Sequence, residues 1–182
     1  MKMKTMSKLI AITAFAITAT AAQAQIYGEV GYTALKGTQT SGANKLEASP
    51  NVLGATIGYD VHKNVAVEAM GVFGVKDDTL KFNGTSLPAK AKINSSYGVF
   101  VKPKTMLSEN FEIFGRLGYM NSKASVTGGN LSTFSAGSSL AYGLGANYYV
   151  TKATYLTVNY MNVYNKNNLK IDGVTFGLGM KF

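Results

Sequence analysis

The carboxy-terminal stretch, residues 172–182, alternates between apolar residues and small or polar ones. Its apolar positions are Val174, Phe176, Leu178, Met180 and Phe182, and the positions between them are Thr175, Gly177, Gly179 and Lys181. Successive side chains of an extended strand point to opposite faces, so one face of this strand is entirely apolar. Because soluble proteins normally blunt such a strand against aggregation, the pattern indicates that lipid covers this face.

Seven further segments between residues 26 and 161 repeat this alternation, which makes eight strands in all. An even number of strands is what a single-chain barrel in an outer membrane requires. The sequence therefore predicts an all-β, eight-stranded antiparallel up-and-down transmembrane β-barrel. Its predicted lipid-facing residues outside the last strand are Ile26, Val30, Tyr32, Ala34, Leu53, Ala55, Ile57, Tyr59, Val61, Val65, Val67, Ala69, Phe73, Val75, Ile93, Tyr97, Val99, Val101, Phe111, Ile113, Leu117, Tyr119, Leu140, Tyr142, Leu144, Ala146, Tyr148, Leu156, Val158 and Tyr160.

The connections between the predicted strands alternate between short and long. Short turns belong to the periplasmic side of such barrels, and long loops belong to the outside. The short connections are 60–64, 105–110 and 150–153, and the long polar ones are 36–49, 76–90, 123–134 and 165–172.

The amino-terminal segment has the features of an export signal. Lys2, Lys4 and Lys8 precede an apolar run over residues 9–22, which is too short for the roughly 20 residues of a spanning helix. Small residues then lead to Ala24 and Gln25. We expect a signal peptide over 1–24, cleavage between Ala24 and Gln25, and a barrel domain over 25–182.

The charged residues within the strands fall on the face opposite the apolar one. Buried charges must be paired, so we expect a barrel filled by salt bridges. A gated ion path through the same pairs is the alternative. The predicted interior network consists of Glu29, Glu68, Lys102, Glu112, Arg116 and Lys181; Asp60 and Lys92 share the inward phase.

The predicted outer loops are rich in lysine. Basic clusters at a membrane surface attract anions, so lipopolysaccharide phosphates or acidic surface polymers are expected partners, with a merely solvated surface as the alternative. Nucleic acid is not expected, because the lysines lack an aromatic stacking face. The candidate lipopolysaccharide contacts are Lys36, Lys45, Lys76, Lys81, Lys90, Lys123, Lys166 and Lys170.

The sequence shows no constellation for catalysis. His62 is the only histidine and lies in a predicted short turn, where a surface residue is more common than a general base. The chain has no cysteine, which excludes disulfide scaffolds and thiolate metal sites. We expect no enzymatic activity, no cofactor and no metal.

The Gly-Tyr pairs Gly31-Tyr32, Gly58-Tyr59 and Gly118-Tyr119 and the terminal aromatic residues resemble those of eight-stranded outer-membrane barrels. This family includes the OmpA transmembrane domain, OmpX and the opacity proteins. The resemblance implies a bacterial outer-membrane location, a monomer, and an assembly signal read by the barrel-assembly machinery. That signal comprises Phe176, Leu178, Met180 and Phe182.

The expected role is envelope integrity and surface interaction. Two alternatives remain open: a narrow channel for ions or small apolar solutes, and a secreted lipocalin-like carrier. Such a carrier also has eight strands, but it has an apolar interior and a polar outside.

Overall fold

The computed structural model describes residues 25–128 and 137–182. The predicted signal peptide, including Ala24, lies outside these residues, whereas Gln25 is described. No helix in the described part is long and apolar enough to cross a membrane. Its strands are β1 (Ile26–Ser41), β2 (Asn44–Ala48), β3 (Asn51–His62), β4 (Val65–Lys76), β5 (Asp78–Phe82), β6 (Thr85–Ser108), β7 (Phe111–Thr127), β8 (Ser138–Tyr149), β9 (Thr154–Lys166) and β10 (Leu169–Lys181).

Eight of these strands form a closed ring in the order β1, β3, β4, β6, β7, β8, β9, β10. Every neighbouring pair is antiparallel, and β10 pairs back with β1 from Tyr27–Lys181 to Gln39–Leu169. Because each strand of the ring lies beside the next one along the chain, the connections are simple hairpins. The predicted eight-stranded antiparallel up-and-down barrel is confirmed.

The predicted apolar faces lie almost entirely on the outside of the ring. Val99, Leu144 and Phe176 expose 65%, 73% and 66% of their surface, whereas Glu68 and Arg116 each expose 3%. An apolar outside around a charged interior is the reverse of a lipocalin-like carrier. That alternative is therefore excluded.

Ile93 is an exception, because it lies inside the barrel with only 6% of its surface exposed. The pairing register of β6 against β7 shifts between Ile93 and Ser95. An extra residue in one strand reverses the alternation of its side chains. The prediction of an outward Ile93 is therefore wrong, and Lys92, predicted inward, takes the outer phase.

The connections predicted as long loops are largely β-structure. β2 and β5 pair with each other and with the far ends of β1 and β6, so the sheet continues beyond the ring as an extension. Residues with positive φ close its hairpins, and Asn and Gly adopt such angles most readily. Residues 123–127 of the connection 123–134 continue β7, and residues 129–134 lie outside the described residues. The hairpin residues with positive φ are Gly42 (φ 59°), Asn83 (φ 48°), Gly84 (φ 85°), Asn167 (φ 53°) and Asn168 (φ 62°).

The interior is layered from the end with short turns to the end with the extension. Aromatic side chains form the first layer, and charged side chains follow. A methionine-containing layer comes next, and we call the last layer the apolar cap. The first layer contains Tyr27, Ala66, Tyr149 and Tyr155; the third contains Phe100, Met120, Ala141 and Met161; the cap contains Leu35, Val52, Ile93, Tyr164 and Ile171.

Candidate functional site

Four buried charged residues from four strands meet in the lumen and form what we call the charge cluster: Glu29 on β1, Glu68 on β4, Lys102 on β6 and Arg116 on β7. Each lies in the inward phase of its strand. The cross-strand partners of Glu29, Glu68 and Arg116 are glycines. Over these glycines, Gly179, Gly58 and Gly143, lie the side chains of Tyr155, Tyr27 and Met161.

Arg116 is the centre of the charge cluster. Its Nε lies 2.6 Å from Glu68 Oε2, and its Nη2 lies 3.0 Å from Glu68 Oε1 and 2.5 Å from Glu29 Oε2. Lys102 Nζ completes the set at 3.0 Å from Glu29 Oε1 and 3.3 Å from Glu68 Oε1. Two cations thus neutralise two anions, which is the condition for burying charge in a low-dielectric interior.

Aromatic side chains surround the charge cluster. The Tyr27 hydroxyl donates to Glu68 Oε1 at 2.6 Å, and the Tyr155 hydroxyl donates to Glu29 Oε1 at 2.9 Å. The Phe114 ring centroid lies 4.3 Å from Lys102 Nζ and 4.8 Å from Arg116 Cζ, within cation–π range. The alternation of the strands predicts Tyr27, Phe114 and Tyr155 on the inward face, but they are not among the predicted network residues.

A second polar group lies nearer the turn end. Glu112 accepts hydrogen bonds from Asn147 Nδ2 at 2.8 Å and from the Tyr149 hydroxyl at 3.3 Å. Lys104 Nζ lies 2.7 Å from Asp60 Oδ1 and 3.9 Å from Glu112 Oε2. The structure therefore separates Glu112 from the four residues of the charge cluster. Lys104 was missed because the inward positions predicted for its strand stop at Lys102, just before the predicted short connection 105–110.

Lys181 also lies apart from the charge cluster. Its Nζ is 4.8 Å from the centroid of the Tyr149 ring. Within the described ranges, no carboxylate oxygen lies within 4.0 Å of it. Of the six predicted network residues, four therefore share one set of ion pairs.

Comparison with known proteins fixes the family. The sequence model described as "Outer membrane protein beta-barrel domain" matches residues 7–182, nearly the whole chain. The chain belongs to this family. No curated protein sequence matches it. The barrel accordingly lies in the bacterial outer membrane, as predicted. In barrels of this kind the short turns lie in the periplasm and the longer connections lie outside.

Solved structures of outer-membrane proteins share the fold. Ail of Yersinia pestis, in complex with the heparin analogue sucrose octasulfate, is 19% identical with a TM-score of 0.63, over 87% of this chain and 98% of Ail. Neisserial surface protein A is 16% identical with a TM-score of 0.60, over 86% and 97%. OprG of Pseudomonas aeruginosa is 15% identical with a TM-score of 0.59, over 87% and 96%.

The outer-membrane barrel carries a second candidate site on the outside of its extension, which we call the lysine belt. Lys36 pairs across the strands with Asp172, Lys45 with Thr40, and Lys81 with Glu47. These positions continue the outward phase of the lipid-facing residues below them. Lys76 and Lys166 lie at strand ends and are not part of the belt. The lysine belt comprises Lys36, Lys45, Lys81, Lys90, Lys123 and Lys170.

Some belt lysines are engaged by carboxylates. Glu47 Oε1 lies 2.9 Å from Lys45 Nζ and 3.5 Å from Lys36 Nζ, and Lys170 Nζ lies 2.8 Å from Asp172 Oδ2. The hydrogen bond from Lys45 holds the pKa of Glu47 below its ordinary value. The other three belt lysines have no carboxylate oxygen within 4.0 Å among the residues the structure describes.

The barrel lumen also contains a small cavity between the charge cluster and the apolar cap. Its volume is about 60 Å³. Thr157 and Asn159 line it and are almost fully buried, and neither Thr157 Oγ1 nor Asn159 Oδ1 has a hydrogen-bond partner among the described residues. Ionic side chains of the charge cluster therefore lie below the cavity, and apolar side chains of the cap lie above it.

The described part of the chain brings together no catalytic or metal-binding group of the usual kinds. His62 lies exposed in a periplasmic turn, where its Nδ1 accepts a hydrogen bond from the Asn64 amide at 3.2 Å. No cluster of three or more histidine, cysteine or acidic residues could hold a metal ion in residues 25–128 and 137–182.

Proposed function

We propose that this outer-membrane barrel is a non-enzymatic, monomeric envelope protein whose lysine belt binds the phosphates of lipopolysaccharide in the outer leaflet. The observation that carries this proposal is the position of the lysine belt. On the outer face of β1, Lys36 follows Tyr32 and Ala34 of the lipid-facing band. Lipopolysaccharide phosphates lie at that height above the hydrocarbon, and lysines near an anionic membrane surface attract them.

The charges of the belt favour anions. Lys81, Lys90 and Lys123 come from three strands and lack a carboxylate partner among the described residues. We assign these three the strongest contacts with phosphate. The structure of Ail, which shares this fold, contains sucrose octasulfate, a polyanion, and a polyanionic partner for this chain fits the same chemistry.

The experiment compares the stability of the barrel in liposomes with and without lipopolysaccharide. Each lysine near an anionic surface contributes about 1 kcal/mol, so K81Q/K90Q/K123Q is expected to bind roughly 100-fold more weakly. The extra resistance to urea that lipopolysaccharide confers should disappear in this variant and should weaken with salt in the wild type.

The matched control changes lysines at the other end of the barrel. Lys63 and Lys152 are exposed in periplasmic turns, so K63Q/K152Q should keep the full stabilisation by lipopolysaccharide. Equal stabilisation of the wild type and the belt variant would overturn the proposal and leave the belt as a solvated surface.

A narrow channel for ions or small apolar solutes is the second candidate function, and the lumenal cavity is the observation in its favour. The cavity lies between the charge cluster and the cap, and we infer that these two layers keep the resting barrel from conducting. Steady, reproducible openings of the wild-type protein in planar bilayers would favour the channel.

Export is part of the proposal. We infer that residues 1–24 direct secretion and are removed between Ala24 and Gln25. The Tyr59 hydroxyl donates to Gln25 Oε1 at 2.5 Å, which places Gln25 beside the end of β3. Amino-terminal sequencing of the protein from outer membranes tests this; a first residue other than Gln25 contradicts it.

A further inference from the structure

We propose that the lumenal cavity is a binding site for a soft monovalent metal cation of the Cu(I) type, held by the thioethers of Met70, Met120 and Met161. All three side chains line the cavity. Met120 and Met161 expose only 2% and 4% of their surface, and Met70 packs against the cluster that contains them. They belong to β4, β7 and β9, so the site depends on barrel closure.

The strand register brings two of these methionines to the same level. Met70 pairs with Gly98, and Gly98 pairs with Met120 on its other side. The two α-carbons are therefore two strands apart, roughly 9.5 Å at the usual 4.7–4.9 Å strand spacing. The Phe100 ring lies over Gly98, with its Cε2 2.9 Å from the position of a Cβ on that glycine. Met120 and Met161 pack in one cluster with this ring, and Met70 packs against that cluster, so the long, flexible thioether side chains reach the cavity beside the ring.

The third methionine comes from the opposite side of β8. Met161 is the cross-strand partner of Gly143, and its Cγ would lie 2.5 Å from a Cβ placed on that glycine. The Met161 side chain thus occupies the space over Gly143. Gly143 therefore leaves room for Met161.

Unsatisfied oxygen atoms in the same cavity provide a second observation. Asn159 Oδ1 and Thr157 Oγ1 are buried, line the cavity and have no hydrogen-bond partner among the described residues. A buried acceptor without a partner is costly, so these atoms favour a cation or its bound water in the cavity. The charge cluster below is neutral as a set, and it contributes one anion and one cation, Glu29 and Arg116, to the lining of the cavity.

The donor atoms determine the class of metal. Neutral thioether sulfur is a soft ligand that favours Cu(I) and discriminates against magnesium and calcium, which prefer oxygen. Thiolate and imidazole are lacking here, since the chain has no cysteine and its one histidine lies in a periplasmic turn. The site therefore differs from those that zinc and Cu(II) prefer.

The test uses Ag(I), a redox-stable ion with the same ligand preference, and barrel protein extracted from outer membranes. The ε-methyl groups of methionine are labelled with ¹³C, and Ag(I) is added in chloride-free buffer. The methyl resonances of Met70, Met120 and Met161 should shift together and saturate at one ion per barrel. If Ag(I) enters the lumen slowly, protein refolded in the presence of Ag(I) is used for the same measurement.

Leucine replaces methionine with little change of volume, so M120L and M161L should keep the fold while binding at least tenfold more weakly. M106L is the matched control, because Met106 is exposed near a periplasmic turn, and its affinity should equal that of the wild type. Absence of saturable shifts in the wild type, or equal shifts at Met106 and Met180, would overturn the proposal and leave the methionines as packing residues.

Discussion

Arg116 holds two glutamates in the barrel, and this makes it the residue with the largest expected effect on stability. Removing one partner of a buried ion pair costs about 3–5 kcal/mol because the other charge is left uncompensated. We expect R116M to lose that amount in urea unfolding from phospholipid vesicles. Glu68 and Glu29 would then share the single ammonium of Lys102.

The double variant E68Q/R116M provides the control for R116M. It removes one charge of each sign and leaves Glu29 with Lys102, 3.0 Å away. Its loss of stability should be smaller than the sum of the two single losses, as for residues in one network. Additive losses would show that Glu68 and Arg116 act independently.

Glu47, in the lysine belt, gives a pH prediction. Its pKa is lowered, first by the hydrogen bond from Lys45 and then by the charges of Lys45 and Lys36. A lowered folded-state pKa means that the interaction is fully present above the unfolded-state pKa and is lost as the pH falls through the folded value. In a carboxyl ¹³C titration, K45Q should raise the Glu47 midpoint more than K36Q; equal effects would contradict this ranking.

At the scale of strands, the period of two is sufficient to predict most of the fold. Each strand of the ring has one face against lipid and one inside, so the apolar pattern determines orientation without knowledge of the neighbours. The apolar pattern gives the wrong orientation for Ile93, because a bulge is a property of strand pairing rather than of one strand's composition. The outer hairpins were missed because their strands lie above the membrane and contain many polar residues.

The candidate site was predictable in part for the same reason. Glu29, Glu68, Lys102 and Arg116 are charges on otherwise apolar strands and therefore stand out in the sequence. Their contacts with Tyr27 and Tyr155 depend on the register between strands that are distant along the chain. Residue type and spacing within one strand carry no information about that register.

Tyrosine rings pack over glycines of neighbouring strands beside the charge cluster and stabilise the pairing of those strands. Tyr27 is the cross-strand partner of Gly58, and Tyr155 is that of Gly179. A Cβ on Gly58 would lie 2.1 Å from Tyr27 Cζ, and one on Gly179 would lie 2.2 Å from Tyr155 Cζ. We expect G58A and G179A to lose about 1–3 kcal/mol, the usual effect of overpacking.

Gly71 serves as the matched control for these alanine variants. A Cβ there has no atom within 4 Å, so G71A should be neutral or slightly stabilising in the same urea experiment. Similar losses of stability in G58A, G179A and G71A would show that a change in backbone entropy or in membrane insertion, rather than in ring packing, is responsible.

For the whole molecule, the charge cluster and the apolar cap form two barriers in series. The cap draws Leu35, Val52 and Ile93 from β1, β3 and β6, with further residues from β9 and β10. Hydrophobic constrictions block ions by dewetting, independently of fixed charge. We expect neither E29A/R116A nor I93S/I171S to conduct in planar bilayers, whereas the fourfold variant should show steady openings. Conductance by E29A/R116A alone would show that the cap is no barrier.

Closure of the whole barrel depends on the seam between β1 and β10, where Phe182 lies. The Phe182 amide donates to Ile26 O at 2.9 Å, and the ring edge is 3.5 Å from the position of a Cβ on Gly28.

If Phe182 is read by the assembly machinery, F182A should lower the amount of heat-modifiable protein in outer membranes several-fold. Refolded F182A should lose at most about 3–5 kcal/mol, the usual range for removing a buried phenylalanine, because the seam keeps its other pairs. V174A, a truncation on the lipid-facing side of β10, is the control and should insert normally. Equal assembly defects in F182A and V174A would mean that strand hydrophobicity, and not the terminal aromatic residue, directs insertion.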